Sequence, residues 1–292
     1  MLYSVDGMNR AKRKLSLNID GQLVNLNTPL VMGILNVTPD SFFDGGKYSS
    51  EELILKRAEQ ILEEGGSFVD IGAYSTRPGA AEVTEEEEIA RLLPAVQLIK
   101  KHIPGAMISI DTWRAEVARR VITECGSCII NDISGGTMDE KMFETVATLQ
   151  VPYILMHIKG TPQTMQNAPS YKDITGEVIQ FLSEKVSRLH QLGVHDVILD
   201  PGFGFGKTIE HNYELMNHLD SFDVFQLPLL VGISRKSMIF RLLETTPEGS
   251  LNGTTVLNSL ALLGGANILR VHDVKEASEA VKIVEKIKST LR

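Results

Sequence analysis

Eight short apolar runs set the strongest limit on what this chain can become. In order they are VMGILNV, SFVDIG, MISID, CIINDI, YILMH, DVILD, PLLVGI and NILRVH, and each is nearly continuous rather than alternating. Continuous runs of this length suit strands covered on both faces, as in a parallel sheet packed between layers. Helical patterns separate them: EELILKRAEQILEEGG, EEEEIARLLPAVQLIKKH, RAEVARRVITECG, ITGEVIQFLSEKVSRLHQLG, NYELMNHL, SLALLGG and KEASEAVKIVEKIKSTL. Several place acids early and glycine or basic residues late, as helix polarity favours. Eight strand–helix repeats ending on a helix are the count of a (β/α)8 TIM barrel. A doubly wound sheet normally uses fewer strands, and no composition break marks a second domain. Ahead of the first repeat, KLSLNIDGQLVNLN sets an Asp-Gly turn between alternating residues, which predicts a β-hairpin. We expect that hairpin across the barrel bottom, residues 1–13 as a flexible N-terminal tail, and residues 14–292 as a single barrel domain.

Composition narrows the function classes. With 43% apolar and 23% charged residues and a mean hydropathy of +0.00, the 292-residue chain has ordinary globular composition. A net charge of −8 argues against nucleic acid or an anionic membrane as the main partner. No apolar run approaches membrane-spanning length, and MLYSVDGMNRAKRK lacks the apolar core of a signal peptide, so the cytoplasm is the expected location. Cys125 and Cys128 form a C-x-x-C pair, but no second pair or histidine cluster at zinc spacing accompanies them. Two reduced core thiols are the expectation.

The stretch ILDPGFGFGKT invites a phosphate-loop reading that its spacing denies. Counting back from Gly206-Lys207-Thr208, the first glycine of a P-loop falls at Pro201, which has no N–H to offer a phosphate. The dinucleotide pattern fits at Gly202 and Gly204 but meets Lys207 where a third glycine is required. The glycines are better read as letting a bulky ligand approach the backbone.

A barrel's chemistry sits where its strands finish. The eight runs end on Asn36, Asp70, Asp111, Asn131 with Asp132, His157, Asp200, Ser234-Arg235-Lys236, and Arg270 with His272. One polar strand end often only caps the next helix, and that plain reading stays open for Asn131 or Asp132. His157 is better read as a satisfied core histidine. Eight together constitute a site. Lys236, Arg270 and His272 follow strands seven and eight, the common phosphate corner of this fold, and Arg77 in YSTRPGA adds a guanidinium fork. Asp70, Asp111 and Asp200 would repel phosphate and instead suit a donor-bearing, nitrogen-rich ring or a developing positive charge. The two sides together suggest a heterocyclic head with a phosphate tail. Two long loops, TPDSFFDGGKYSS and AYSTRPGAAEVTE, could close over such a substrate and exclude water.

NVTPDSFFDGG, VDIGAYSTRPGAAEV, INDISGG, LDPGFGFGK, VGISRKS and RVHDV, in that order, resemble the dihydropteroate synthase family from about Val31 to about Ala277. The resemblance implies condensation of 6-hydroxymethyl-7,8-dihydropterin diphosphate with 4-aminobenzoate (p-aminobenzoate), giving 7,8-dihydropteroate and diphosphate for folate synthesis. By the same resemblance, Asn36 is the protein ligand of Mg2+ carried on the diphosphate. Asp111, Asn131 and Asp200 meet the pterin edge, with Lys236 reaching the ring. Arg270, His272, Arg77 and Asn36 hold the diphosphate. Thr76, Pro39, Phe205 and Ser237 surround 4-aminobenzoate, where sulfonamides compete. Catalysis falls to Asp111, Arg77 and Lys236, with Asp111 stabilising a cationic pterin, and the chain is expected to be a homodimer.

Two positions depart from the family's usual pattern: Ala73-Tyr74 precede Ser75 where members read GESTRPG, and Phe43 replaces a serine. Two rival readings fit these residues less well. A methyltetrahydrofolate-dependent methyltransferase needs no diphosphate clamp, and a non-catalytic pterin binder would not need Asn36.

Overall fold

The computed structural model describes residues 15–38, 47–74 (residues 47–50 for the backbone alone), 83–161, 164–165 and 169–290. The tail expected at residues 1–13 lies outside them. The first described element is the hairpin, strands β1 (Ser16–Ile19) and β2 (Gln22–Asn25), paired antiparallel. Asp20 and Gly21 both take positive φ, at 53° and 78°, as the tight turn that matches strand twist requires. Exposure alternates along β1, burying Leu17 and Ile19.

Eight parallel strands follow: β3 (Leu30–Asn36), β4 (Phe68–Gly72), β5 (Met107–Asp111), β6 (Ile129–Asp132), β7 (Tyr153–Met156), β8 (Val197–Asp200), β9 (Leu230–Val231) and β10 (Ile268–Val271). They correspond one to one with the eight apolar runs. Each pairs with its neighbour in order from β3 to β8, and β10 joins β3 to β9. A parallel bridge between Leu199 and Leu229 closes the barrel. That closing ladder is short because Pro228 has no N–H; its carbonyl instead accepts from Leu199.

Helices lie between the strands: α1 (Lys47–Glu63), α2 (Glu85–His102), α3 (Ala115–Cys125), α4 (Met142–Leu149), α5 (Ile174–Gln191), α6 (Ile209–Asn217), α7 (Ser237–Phe240), α8 (Leu251–Leu263) and α9 (Val274–Ser289). Helix α2 shows why its boundaries were readable. Thr84 and Glu87 form a reciprocal capping box, four glutamates fill the first turn, and Lys100, Lys101 and His102 fill the last. Cys125 is half-buried and Cys128 buried, both as free thiols. Burial pushes the Cys128 thiol up to about 11, so it stays protonated and inert.

Strand alternation divides the core in two. One parity, including Val31, Leu35, Val69, Ile71, Ile110, Ile130 and Leu199, packs against the helices. The other parity fills the barrel. Its lowest layer is Met32, Phe68, Ile129, Ile154, Ile198, Leu230 and Ile268, and Leu17, Ile19 and Leu26 of the hairpin segment pack against that layer. The hairpin therefore plugs the bottom, as expected from sequence. The interior is apolar below, so the polar groups of the same strands gather at the top.

Candidate active site

Register brings the strand ends together. Asn36 pairs with Gly72, Gly72 with Asp111, and Asp111 with Asn131, so these four residues form one row across β3 to β6. Gly72 keeps the middle of that row open: a Cβ there would lie 3.5 Å from Asp111 Cβ and 3.6 Å from Asn36 Oδ1. Alternation also settles the choice between Asn131 and Asp132. Asn131 Nδ2 donates to Asp70 Oδ1 at 3.2 Å within the barrel. Asp132 instead accepts from the Ser134 and Gly136 amides and from the Tyr153 hydroxyl, and so pins the following loop.

The centre of the row is an arginine between two acids. Arg270 Nε donates to Asp70 Oδ2 at 2.7 Å, and its Nη2 donates to Asp111 Oδ2 at 2.7 Å. Burial works against the Arg270 charge, but Asp70 and Asp111 outweigh it and hold the guanidinium more firmly protonated than usual. Burial pushes the Asp111 carboxyl up to about 7; Arg270 pulls it back, and Asp70 adds to the rise. The Tyr74 hydroxyl lies 3.5 Å from Asp111 Oδ1, and its ring joins an apolar rim with Ile133, Met156, Trp113 and Phe205. Burial, then the charge of Asp111, keeps that phenol protonated and so a donor. Tyr74 was noted in the sequence only as a departure from a motif, not as a site residue.

Asp200 stands opposite, at the end of β8, only 5% exposed, and accepts from the Gly202 amide at 2.7 Å. Its carboxyl is raised by burial, against the pull of Lys236. Lys236 Nζ donates to the Phe203 carbonyl and sits 4.6 Å above the Phe205 ring. Burial lowers its ammonium to about 8, opposed chiefly by Asp200. Ser237 follows as the first residue of α7. The glycine-rich turn holds no phosphate loop. Gly202 has φ 72°, and a Cβ there would meet the His157 carbonyl oxygen at 1.9 Å. Lys207 is buried beneath the turn, donates to the carbonyls of Gly202 (2.8 Å) and Phe205 (3.1 Å), and lies 2.9 Å from His157 Nδ1. Burial and the Lys207 charge hold His157 neutral, down to about 2, so it is the satisfied core histidine that the sequence suggested.

The expected phosphate corner differs in charge from its sequence reading. His272 is lowered to about 4, by burial first and then by Arg235 and Arg270, so it is a neutral imidazole rather than a cation. The Ser234 hydroxyl accepts from the His272 amide at 3.2 Å and lies 3.0 Å from Nδ1. With that hydroxyl proton on Nδ1, the ring proton sits on Nε2 as a donor. Arg270 lies with the acids rather than apart from them as a dedicated anion clamp. Arg57 does not appear among the residues read from sequence, and Arg235 appears there only as part of a polar strand end. Arg57 of α1 donates to the His272 carbonyl at 2.7 Å. Arg235, at φ 57°, is tied to both carboxylate oxygens of Asp273. Nothing in a Lys-Arg pair on a helix marks Arg57 beforehand; it reads as an exposed face.

Asn36 ends β3 with its side chain exposed. Among the described residues no group of three or more His, Cys, Asp or Glu could hold a metal. One neutral amide oxygen suits a hard cation such as Mg2+, which takes few protein ligands and completes its shell with phosphate oxygens and water. Pro39, Thr76 and Arg77 lie outside the described residues. The ends of the segment carrying Thr76 and Arg77 are held: Arg91 donates to the Ala73 carbonyl at 3.0 Å, and Arg114 to the Val83 carbonyl at 2.6 Å while it pairs with Glu88. A groove of about 1030 Å³ lined by Arg119, Lys141, Lys185 and Arg188, among others, includes none of the strand-end residues.

Residues 32–272 match the pterin binding enzyme family. The dihydropteroate synthase of Escherichia coli K12 is 45% identical over 273 residues, covering 93% of this chain and 96% of its own length. A dihydropteroate synthase of Yersinia pestis, solved with a sulfonamide drug complex, superposes with a TM-score of 0.87 at 42% identity, covering 94% of this chain and all of the other. That of Xanthomonas albilineans, solved with 7,8-dihydropteroate, gives 0.83 at 34% identity, covering 94% of this chain and 99% of the other.

Proposed function

This chain belongs to the pterin binding enzyme family, and from that premise we infer its reaction. It is a transferase that condenses 6-hydroxymethyl-7,8-dihydropterin diphosphate with 4-aminobenzoate, giving 7,8-dihydropteroate and diphosphate in folate synthesis. The observation that carries the chemistry is the placement of Asp70, Asp111, Asp200, Arg270 and Lys236 at one barrel mouth. The relatives in hand are synthases, and the methyltransferase alternative has no use for a diphosphate site.

The roles follow from donors and charge. Asp200 accepts from the pterin's amino group and ring N–H, and Asn131 lies on the same edge. Lys236, protonated below about 8, donates to the ring's acceptors. The C–O bond to diphosphate breaks as the methylene carbon becomes electron-poor, and ionised Asp111 stabilises the positive charge spread into the ring. Arg270 positions Asp70 and Asp111 and pulls the Asp111 carboxyl down against its burial; the diphosphate end falls to His272 and, by the family resemblance, Arg77. His272 contributes a neutral N–H. Asn36 would hold Mg2+ there; when bound, the ion shields negative charge on the departing diphosphate. The arylamine nitrogen then attacks the same carbon and loses its proton to water, with Thr76, Pro39, Phe205 and Ser237 around its ring. No strong base is needed, because an arylamine is already nucleophilic at neutral pH.

Diphosphate release on mixing both substrates, Mg2+ and the purified protein tests the reading; none released without 4-aminobenzoate, and prompt release with it, is the expected result. No release in the complete mixture overturns it. We further propose a cytoplasmic homodimer. Among the described residues no helix is long and apolar enough to cross a membrane. The α8–α9 face leaves Val256, Ile283 and Ile287 exposed for a second copy. Sedimentation showing only monomer would refute the dimer.

A further inference from the structure

The turn after β8 is gripped by two lysines from different sides, and only Lys236 has a role so far. Three of its residues, Gly202, Gly204 and Gly206, have positive φ, so the backbone has little intrinsic stiffness. Yet it carries Phe205, the one described aromatic assigned to the arylamine. Lys236 holds the Phe203 carbonyl. Lys207, 3% exposed, holds two other carbonyls of the turn, those of Gly202 and Phe205. Its third contact is His157 Nδ1, 2.9 Å away. Burial pushes the Lys207 amine well below the usual lysine range, and all three of its polar contacts lie inside the protein.

His157 is itself anchored. Its ring meets Phe181 edge-on with centroids 5.0 Å apart and stands 6.2 Å from Tyr171. The Tyr171 hydroxyl donates to the Gly206 carbonyl at 2.7 Å. The turn is thus tied to a rigid floor through Lys207 and Tyr171, while its upper surface faces the site.

We propose that Lys207 is a positioning residue for the arylamine subsite: by joining the Gly202 and Phe205 carbonyls to His157, it fixes the turn that presents Phe205 and holds Lys236. The role rests on the functional reading above, in which Phe205 borders 4-aminobenzoate. It predicts a selective defect. Asp111, Asn131 and Asp200 meet the pterin edge from strand ends, and the turn reaches that edge only through the Gly202 amide on Asp200 and through Lys236. The aminobenzoate wall is carried on the turn itself, by Phe205.

Lys207→Met keeps the stem and removes the donors. The expected result is a KM for 4-aminobenzoate raised tenfold or more, with kcat lowered by less. The dissociation constant of the pterin diphosphate, measured by calorimetry with Mg2+, should rise several-fold less than that KM, because the turn touches the pterin edge only through Lys236 and the Gly202 amide. His157→Phe keeps the ring volume and removes the acceptor; it should shift the same KM in the same direction by less, and the double variant should be no worse than Lys207→Met. If Lys207→Met fails to show a cooperative melt, His157→Phe decides by the same readout. An unchanged KM for 4-aminobenzoate in the folded variant, or equal weakening of both substrates, overturns the proposal. A parent protein that releases no diphosphate would instead sink the functional reading itself.

Discussion

Replacing Asp111 with Asn should make the protein more stable and nearly inactive. The Asp111 carboxyl titrates at about 7 against an ordinary 3.8. That gap is about 3 pH units, or ~4 kcal/mol at about 1.4 kcal/mol per unit. The sign follows from proton binding. A raised carboxyl pKa means the folded state binds the proton more tightly than the unfolded chain, so stability is lost as pH climbs from 3.8 to about 7. Asn imitates the protonated acid and escapes this loss. The attraction of Arg270 is already contained in the value of about 7, and Arg270 keeps Asp70 as partner in the variant. Urea unfolding at pH 5 and pH 8 should therefore show Asp111→Asn more stable, with the advantage growing toward ~4 kcal/mol at the higher pH. The rate should move the other way. Loss of a fixed charge at a developing cation removes about 10²–10³ in kcat by analogy with a lost oxyanion donor. Diphosphate release measures this. An advantage that does not widen with pH, or a kcat within fivefold of the parent, would refute the reasoning.

The pH profile, Tyr74 and the glycine turn each carry a further prediction. The rate constant kcat/KM should follow a narrow bell, falling below about 7 as Asp111 takes a proton and above about 8 as Lys236 loses one. Tyr74→Phe should move only the acid limb upward, by less than one unit, because a donor at 3.5 Å contributes roughly 0.5–1 kcal/mol; a limb that stays put removes Tyr74 from the site. Gly202→Ala should cost roughly 3 kcal/mol or more, since its Cβ would sit 1.9 Å from a carbonyl oxygen at φ 72°. Parent-like urea unfolding of that variant would contradict the turn geometry.

The barrel was legible because strands buried on both faces need uninterrupted apolar runs, and all eight did. Elements that depend on their neighbours were not. Helix α4, in MFETVATL, has no side-chain cap and mixes valine and threonine into a single short stretch. Only the second half of α8 showed, as SLALLGG, because LNGTTVLN favours no helix on its own. Packing decides it: a Cβ on Gly253 would come within 2.5 Å of Ile239, so glycine admits the close approach of α7. In the site, the polar strand ends announced the position of the chemistry. They could not reveal pairings across long separations, such as Arg270 with Asp70, 200 residues apart. Nor could spacing say where the Lys207 ammonium goes once the P-loop had been rejected. Its three partners are two turn carbonyls and a histidine 50 residues earlier, which only the folded barrel brings together.

The electrostatics of the mouth suit a reaction whose positive charge is transient. Burial raises both Asp111 and Asp200 above ordinary carboxylates, even with Arg270 and Lys236 beside them. With Asp70, three acids face two cations at the mouth, and the raised Asp111 and Asp200 carboxyls leave little negative charge to be spent on a neutral ring. When positive charge appears on the ring next to Asp111, it favours the ionised carboxylate and pulls its pKa down. Ionisation of the acid and formation of the cation then reinforce each other. The stabilisation is therefore greater at the transition state than for the bound substrate, which is the condition for faster chemistry rather than tighter binding. Arg270 sets how far this coupling can go. Without it, Asp111 would face Asp70 with no cation between them, and its carboxyl would rise further, leaving less ionised carboxylate for the developing charge.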